Sequence, residues 1–167
     1  MILDKDRIWG CILGGAIGDA LGIFNELKNF QDSDFEYIQD FKGGGIHNVP
    51  AGTWSDDTSM SLCTIESLVL REGFHPEDMM ERFTAWYTDG HLSCQERCFD
   101  IGITTKKAIF RYMSSGQLFN VNEDVMDSGN GSLMRIYPVV LWSALEDDEI
   151  FERHIIDCSR LVLLQLK

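Results

Sequence analysis

The stretch Pro50-Ala51-Gly52-Thr53-Trp54-Ser55-Asp56-Asp57-Thr58-Ser59-Met60 joins a loop to the start of the strongest helical pattern in this sequence. Ser55 or Asp56 can cap that helix, and the acidic side chains of its first turn complement the helix dipole. Apolar residues then recur at helical spacing and predict one broad buried face, formed by Met60, Leu62, Cys63, Ile65, Leu68 and Val69. The sequence therefore predicts a helix between this cap and Gly73.

The same spacing recurs on both sides of this helix. It predicts helices over residues 6–21, 101–113, 132–142 and 147–164, and a further helix that begins at Pro76. No run alternates apolar and polar residues for long enough to predict a strand. Residues 25–51 lack periodicity and contain Gly43-Gly44-Gly45, so we expect a long loop of the kind that usually has a function. The sequence predicts a single all-α domain over residues 1–167.

Charge limits the partners of the protein. Fourteen basic residues against 27 acidic ones give a formal net charge of −13. This charge repels phosphate backbones and anionic lipid, and no basic stripe offsets it, so we expect neither nucleic-acid nor membrane binding. The apolar run Ile8–Gly18 is also too short to span a bilayer. An anionic ligand would have to bind through a bridging cation or through backbone N–H groups.

The cysteines indicate a reducing compartment. Their number is odd and they are scattered, at Cys11, Cys63, Cys94, Cys98 and Cys158. Such cysteines are typical of reduced thiols in a cytoplasmic protein.

Ser55, Asp56 and Asp57 form the first pattern that suits chemistry. Two adjacent carboxylates and a hydroxyl at a helix start are oxygen ligands of the kind that a hard cation such as Mg²⁺ prefers. The same residues also make a good helix cap without any metal. Both interpretations stay open on these residues alone.

A second pattern ends the first predicted helix. The run GDALGIFNE at residues 18–26 places Phe24 and Glu26 in the long loop. A carboxylate beside an aromatic ring suits an acid/base or ligand-positioning role. Alternatively, Phe24 anchors the core and Glu26 is solvated.

A third pattern is the segment Ser128, Gly129, Asn130, Gly131 and Ser132. The two glycines allow a tight turn and a close approach of the backbone to a ligand, and a helix start that follows offers N–H groups to phosphate. The alternative is an ordinary turn between helices with Ser132 as the N-cap.

Four segments in this order resemble the ADP-ribosylglycohydrolase family, which includes the dinitrogenase-reductase-activating glycohydrolases. They are GCILGGAIGDALG at residues 10–22, PAGTWSDDTSM at 50–60, TTKKA at 104–108 and GNGSLMR at 129–135. The resemblance covers about residues 7–161. It implies an all-α helical bundle that binds two Mg²⁺ or Mn²⁺ ions and cleaves the glycosidic bond between ADP-ribose and a protein side chain or a related acceptor.

The resemblance also implies roles for single residues. It makes Ser55, Asp56 and Asp57 metal ligands, and Glu26 the loop glutamate near the scissile bond. Either Asp57 or Glu26 would orient or deprotonate the attacking water. The segment Ser128–Ser132 would bind pyrophosphate and ribose, and Phe24 would contact the ligand.

The sequence departs from the family pattern at its C-terminal end. Family domains are nearly twice as long and carry an Asp-x-Asp-Thr segment that completes the metal site. Here Cys158-Ser159-Arg160-Leu161 is followed by Val162 instead of the usual Thr-His, and no such segment occurs. We therefore expect a C-terminally truncated, incomplete domain with a partly liganded metal centre. Its apolar faces would favour self-association or a complementing chain.

Three hypotheses follow from these patterns. The first is an ADP-ribosyl hydrolase that is active when a second chain or copy completes it. The second is a non-catalytic ADP-ribose-binding remnant or half of a split enzyme. The third is an unrelated all-α metal phosphohydrolase acting on a nucleotide, which the lack of Glu/Asp-rich helices disfavours.

Overall fold

The computed structural model describes residues 4–33, 35–119 and 129–163. Six α-helices occur in these ranges: α1 Lys5–Gly22, α2 Asp56–Arg71, α3 Pro76–Asp89, α4 Ile103–Ser115, α5 Tyr137–Ser143 and α6 Asp148–Arg160. Short 3₁₀ helices lie at Ile23–Asn25 and Leu133–Arg135. The described residues form no strand, and the single Gly44–Val49 bridge closes a turn. The predicted all-α class is confirmed.

Side-chain caps set the starts of three helices. Asp4 accepts the Arg7 N–H at 2.8 Å at the start of α1, and Asp147 accepts the Ile150 N–H at 2.9 Å at the start of α6. Ser55 caps α2, as the sequence predicts. These caps satisfy N–H groups that the first turn of a helix leaves without a partner.

Two predicted helix boundaries are wrong. Residues 132–142 do not form a continuous helix, because a 3₁₀ turn over Leu133–Arg135 precedes α5, which begins at Tyr137. Pro138 explains the break: it lacks an N–H and disfavours helical geometry in the residue before it, so it fits only the first turn of a helix. Similarly, α6 ends at Arg160 rather than at residue 164.

Helix α2 lies at the centre, in contact with α1, α3 and α5. The core cluster around it consists of Met60, Cys63, Leu68, Met79, Met80, Phe83, Trp86, Ile109, Val139, Cys158 and Leu161. The predicted apolar face of α2 is only partly buried, because Val69 is 57% exposed. Small hydroxyl residues such as Thr64 take up part of the buried face, and the Thr64 Oγ1 donates to the carbonyl oxygen of Met60 at 2.9 Å.

Helix α1 is largely exposed, because Ala20 is the only residue buried on it, just as Cys158 is the only residue buried on α6. Trp9, Leu13 and Ile17 are about half exposed and lie one turn apart along one side. By length and composition alone, residues 5–25 are apolar enough to cross a membrane, although only 11% of the most apolar window is buried. Core helices of soluble proteins and signal sequences share this length and composition, so the predicted lack of membrane binding stays a prediction.

Candidate active site and metal centre

Asp19 of α1 fixes the N-terminal end of α2. The Ser55 N–H donates to both Asp19 carboxylate oxygens, at 3.1 and 3.0 Å, and the Thr58 N–H and Thr58 Oγ1 donate to Oδ2 at 3.1 and 2.6 Å. Ser55 Oγ in turn accepts the Asp57 N–H at 3.3 Å. Asp19 thus acts as a cap supplied by another helix, and it sets the positions of Ser55, Asp56 and Asp57.

A cavity of about 520 Å³ opens beside this helix start. Its walls come from the end of α1, the start of α2, the start of α4 and the turn after residue 129. The lining residues are Gly18, Asp19, Gly22, Ile23, Glu26, Ser55, Asp56, Asp57, Asp100, Gly102, Thr104, Thr105, Asn130, Gly131 and Met134. Five carboxylates therefore line the cavity, and no lysine or arginine is among the described residues that line it.

The carboxylates strongly disfavour one another's charge. Burial, and then the neighbouring Asp100 and Asp57, raise the pKa of Asp56 to about 8. Burial together with Asp19 and Glu26 raises the pKa of Asp57 to about 6. Burial and Glu26 raise the pKa of Asp100 to about 6, although His47 opposes this shift. A cation in the cavity would offset this repulsion, because an opposite charge favours the ionised carboxylate.

Glu26, His47 and Asp100 meet at one edge of the site. The His47 Nε2 lies 2.6 Å from Glu26 Oε2 and 3.4 Å from Asp100 Oδ1. One possible ligand atom from each of the three residues lies within 4.8 Å of the other two. Glu26 is a predicted site residue, whereas His47 and Asp100 are not, since an isolated His in a glycine-rich loop and an isolated Asp carry no spacing signal.

The turn after residue 129 packs tightly against the start of α4. A Cβ atom on Gly129 would lie 2.6 Å from Thr104 Oγ1, and one on Gly131 would lie 2.7 Å from Thr105 Oγ1. A side chain at either position would therefore force a threonine side chain of α4 to move. Thr105 is fully buried, and its Oγ1 has no hydrogen-bond partner within the described ranges. A buried hydroxyl without a partner is uncommon in a native structure, and this one lies at the wall of the cavity.

Ser132 occupies the N-cap position of the 3₁₀ helix Leu133–Arg135, as the alternative interpretation has it. Its side chain makes no capping hydrogen bond, and its Oγ instead accepts from Ser159 Oγ of α6 at 2.9 Å. The Leu133 N–H bonds to the Asn130 carbonyl oxygen at 2.9 Å. These two bonds hold the turn in place beside the cavity.

The structure brings most of the predicted site residues together. Ser55, Asp56, Asp57, Glu26, Asn130 and Gly131 line the same cavity. Gly129 and Ser132 lie next to the lining without belonging to it. Ser128 lies outside the described residues.

Phe24 is buried outside the lining, with the Lys28 and Lys42 ammonium groups 4.3 and 4.4 Å from its ring centre. The ligand-binding roles of the predicted site residues stay predictions.

Comparison with known proteins points to one family. The profile of the ADP-ribosylglycohydrolase family matches residues 2–162. The chain is 37% identical over 154 residues to the ADP-ribosylarginine hydrolase Tri1 of Pseudomonas putida, covering 92% of this chain and 38% of that protein. It is 33% identical over 138 residues to the ADP-ribosyl dinitrogen reductase glycohydrolase of Rhodospirillum rubrum, covering 81% of this chain and 44% of that protein.

A solved structure gives the same result. The ADP-ribosylglycohydrolase-related protein complex superposes with a TM-score of 0.74 at 35% identity, over 95% of this chain and 50% of that one. The chain spans about two-fifths of the length of the curated relatives it matches. Its helical arrangement is that of the ADP-ribosylglycohydrolase fold. The chain therefore belongs to the ADP-ribosylglycohydrolase family.

Proposed function

We propose that this chain carries part of a divalent-cation-dependent site that hydrolyses the bond between ADP-ribose and a protein side chain. One observation carries the proposal: five carboxylates, from Asp19, Glu26, Asp56, Asp57 and Asp100, line one cavity, and no basic side chain is among its described lining residues. Carboxylates with raised pKa values in a cavity are typical of functional sites.

The donors fit a hard cation. Ser55, Asp56 and Asp57 supply a hydroxyl and two carboxylates at the start of α2, which suit Mg²⁺ or Mn²⁺. The two carboxylates are costly to ionise without a cation, as their raised pKa values of about 8 and about 6 indicate. Such an ion lowers the pKa of bound water and stabilises developing negative charge. The donors of this chain form at most part of its coordination shell.

Different residues of the cavity would activate water and bind the pyrophosphate. Asp57 or Glu26 orients the attacking water or accepts its proton. Gly102 and the first turn of α4 lie at the cavity wall, and the N-terminal end of a helix attracts anions through its dipole and free N–H groups. Asn130 and Gly131 face the same space. A pyrophosphate can therefore bind in an acidic protein without a lysine or arginine.

The relatives indicate which acceptor to test first. The relative of 37% identity is named an ADP-ribosylarginine hydrolase, and bovine and human proteins named ADP-ribosylhydrolase ARH3 match at 28% and 27% identity. We propose arginine-linked ADP-ribose as the first substrate. Because relatives of 37%, 35% and 33% identity are named hydrolases or a glycohydrolase, a purely non-catalytic remnant is not favoured.

The exposed face of α1 supports a further contact. Trp9, Leu13 and Ile17 present apolar surface that nothing covers within the described part of the chain. We propose that a second copy or a complementing chain covers it. Light scattering at increasing protein concentration tests self-association, and Leu13→Glu should keep the chain monomeric if a copy binds there. The cytoplasmic location and the single incomplete domain stay predictions.

The proposed function is tested with an arginine-ADP-ribosylated peptide. With Mg²⁺ present we expect release of free ADP-ribose, and Asp56→Ala should abolish it. Asp4→Ala is the matched control, because Asp4 is an exposed carboxylate that caps α1 away from the cavity. Calorimetry with ADP-ribose is run in parallel, because the chain spans only part of the length of its relatives. Absence of both peptide hydrolysis and Mg²⁺-dependent ADP-ribose binding would refute the proposal.

A further inference from the structure

His47 connects two carboxylates that come from different loops. Glu26 follows the 3₁₀ turn after α1, His47 lies in the turn closed by the Gly44–Val49 bridge, and Asp100 precedes α4. Within the described residues, the ion pairs of Glu26 and Asp100 both go to His47. A single imidazole thus faces two carboxylates, and burial followed by the charge of Glu26 raises the pKa of Asp100.

The three loops are built to converge. Gly45 has a φ of +65°, and a Cβ atom there would lie 2.8 Å from the Phe24 carbonyl oxygen, so the turn that carries His47 packs directly on the turn before Glu26. Each donor also lies at or beside a non-glycine residue in the left-handed region: Leu27 at 60°, Asn48 at 49° and Asp100 at 57°. Such backbone conformations cost free energy and cluster at functional sites.

His91 serves as a comparison for His47, because it forms an ion pair with a single carboxylate. The His91 Nε2 lies 2.6 Å from Glu66 Oε2, the same distance as in the His47 pair. Glu66, however, also accepts a hydrogen bond from Arg82, so a permanent cation already neutralises it. No second carboxylate forms an ion pair with His91 among the described residues. The two histidines therefore differ in the charge that surrounds them.

We propose that Glu26, His47 and Asp100 form a second cation site, specific for a divalent transition metal such as Ni²⁺ or Zn²⁺. One imidazole nitrogen and two carboxylates suit these ions, whereas Mg²⁺ prefers oxygen ligands alone. The side chains are 21–32% exposed, which leaves room for water to complete the coordination shell. The imidazole distinguishes this site from the all-oxygen set of Ser55, Asp56 and Asp57 in the same cavity, and its occupant would link the three loops at the cavity edge.

The test is calorimetric titration of the tag-free chain with Ni²⁺, with its thiols reduced. We expect His47→Ala and His47→Gln each to weaken Ni²⁺ binding by about tenfold or more, since each removes a direct ligand. His47→Gln keeps a hydrogen-bond donor toward Glu26 and Asp100, so it separates loss of a ligand from loss of folding. His91→Ala is the matched control and should leave the Ni²⁺ affinity unchanged.

A second measurement assigns the site directly. The chain has four histidines, so their ring resonances can be followed one by one during a Zn²⁺ titration. We expect the His47 ring to shift first. Equal Ni²⁺ affinity in the His47 variants and the wild type, or a Zn²⁺ response at His91 instead of His47, would overturn the proposal. Asp56→Asn separates the two proposals, because it should remove Mg²⁺-dependent ADP-ribose binding while the response of the His47 ring persists.

Discussion

Two acidic clusters lie along α2, and they differ in their counter-charges. Near its C-terminal half, Asp78 accepts hydrogen bonds from Arg71 Nε and Arg82 Nε, both at 2.7 Å. Burial alone would raise the pKa of Asp78, but these hydrogen bonds lower it to about 2. At the N-terminal end, burial and neighbouring carboxylates raise the pKa of Asp56 to about 8. The ionised form of Asp78 therefore stabilises the fold, whereas ionising Asp56 costs free energy.

The comparison shows where function lies in an acidic protein. A carboxylate with its own arginine already has a partner, whereas Asp56 and Asp57 form no ion pair with another described residue, and their raised pKa values favour a cation from outside the chain. A site selected only for stability would be expected to carry the arginines in both places, because unpaired buried charge destabilises a fold. The cluster around Asp56 is therefore the candidate for binding, and the cluster around Asp78 is structural.

Removing the counter-charge of the structural cluster should have the largest effect. Arg82→Met leaves Asp78 and Glu66 without their shared cation, and we expect the free energy of unfolding to fall by about 3–5 kcal/mol. Urea denaturation measures this. Arg71→Met is the control: Arg71 is 53% exposed, so its loss should cost about 1 kcal/mol or less. Equal losses in the two variants would contradict the structural role of Arg82.

Substitution of Asp19 tests how the start of α2, which carries Asp56 and Asp57, is fixed in position. Asp19→Asn removes the charged acceptor of the Ser55 and Thr58 N–H groups and of the Thr58 hydroxyl. We expect a loss of about 2 kcal/mol in the free energy of unfolding, because hydrogen bonds to a charged group are the stronger ones. Asp4→Asn, at the exposed cap of α1, should cost about 1 kcal/mol or less. The interpretation fails if Asp19→Asn is no more harmful than Asp4→Asn.

The two clusters should respond to pH in opposite directions. The pKa of Asp56 rises from 3.8 to about 8, so its stabilising contribution is present below pH 3.8 and is lost as the pH rises toward 8. The pKa of Asp78 falls from 3.8 to about 2, so its contribution is present above pH 3.8 and is lost as the pH falls toward 2.

Thermal unfolding with EDTA, across the window from pH 3.8 to about 8, measures the first of these effects. We expect Tm to decrease more steeply with rising pH in the wild type than in Asp56→Asn. Added Mg²⁺ should flatten the wild-type curve, because the cation favours the ionised carboxylates. Identical slopes in the wild type and Asp56→Asn would show that Asp56 carries no such penalty.

The smallest expected effect concerns the buried hydroxyl of Thr105. Thr105→Val removes an Oγ1 that has no hydrogen-bond partner in the described ranges, so stability should stay unchanged or rise by up to about 1 kcal/mol. ADP-ribose binding should weaken, because the hydroxyl faces the turn at Gly131. A drop in stability with unchanged ligand affinity would make Thr105 purely structural.

Local signals in the sequence predicted much of this arrangement. The cap at Ser55 and the start of α3 at Pro76 act through near neighbours in sequence. The glycine pattern predicted the turn at 129–131, but its tight contacts are with Thr104 and Thr105, which are distant in sequence. Asp19 belongs to the segment GCILGGAIGDALG at residues 10–22, but its hydrogen bond to Ser55 spans 36 residues in sequence, so no local pattern reveals its role.

The errors have physical causes too. Pro138 broke a helix that apolar spacing had extended through it. His47 and Asp100 reach Glu26 only because turns with left-handed residues bring three loops together, and single-sequence periodicity carries no record of such contacts. Apolar spacing also predicted that Val69 lies in the core. Val69 is exposed instead, and hydroxyl residues such as Thr64 occupy part of the buried face of α2.

The central claim is that the unpaired carboxylates bind a cation that in turn binds ADP-ribose. Calorimetric titration of ADP-ribose into the chain, with Mg²⁺ and then with EDTA, tests it most directly. We predict saturable binding with Mg²⁺ that disappears in EDTA and in Asp56→Asn. Binding of equal affinity in EDTA, or in Asp56→Asn with Mg²⁺, would contradict the account.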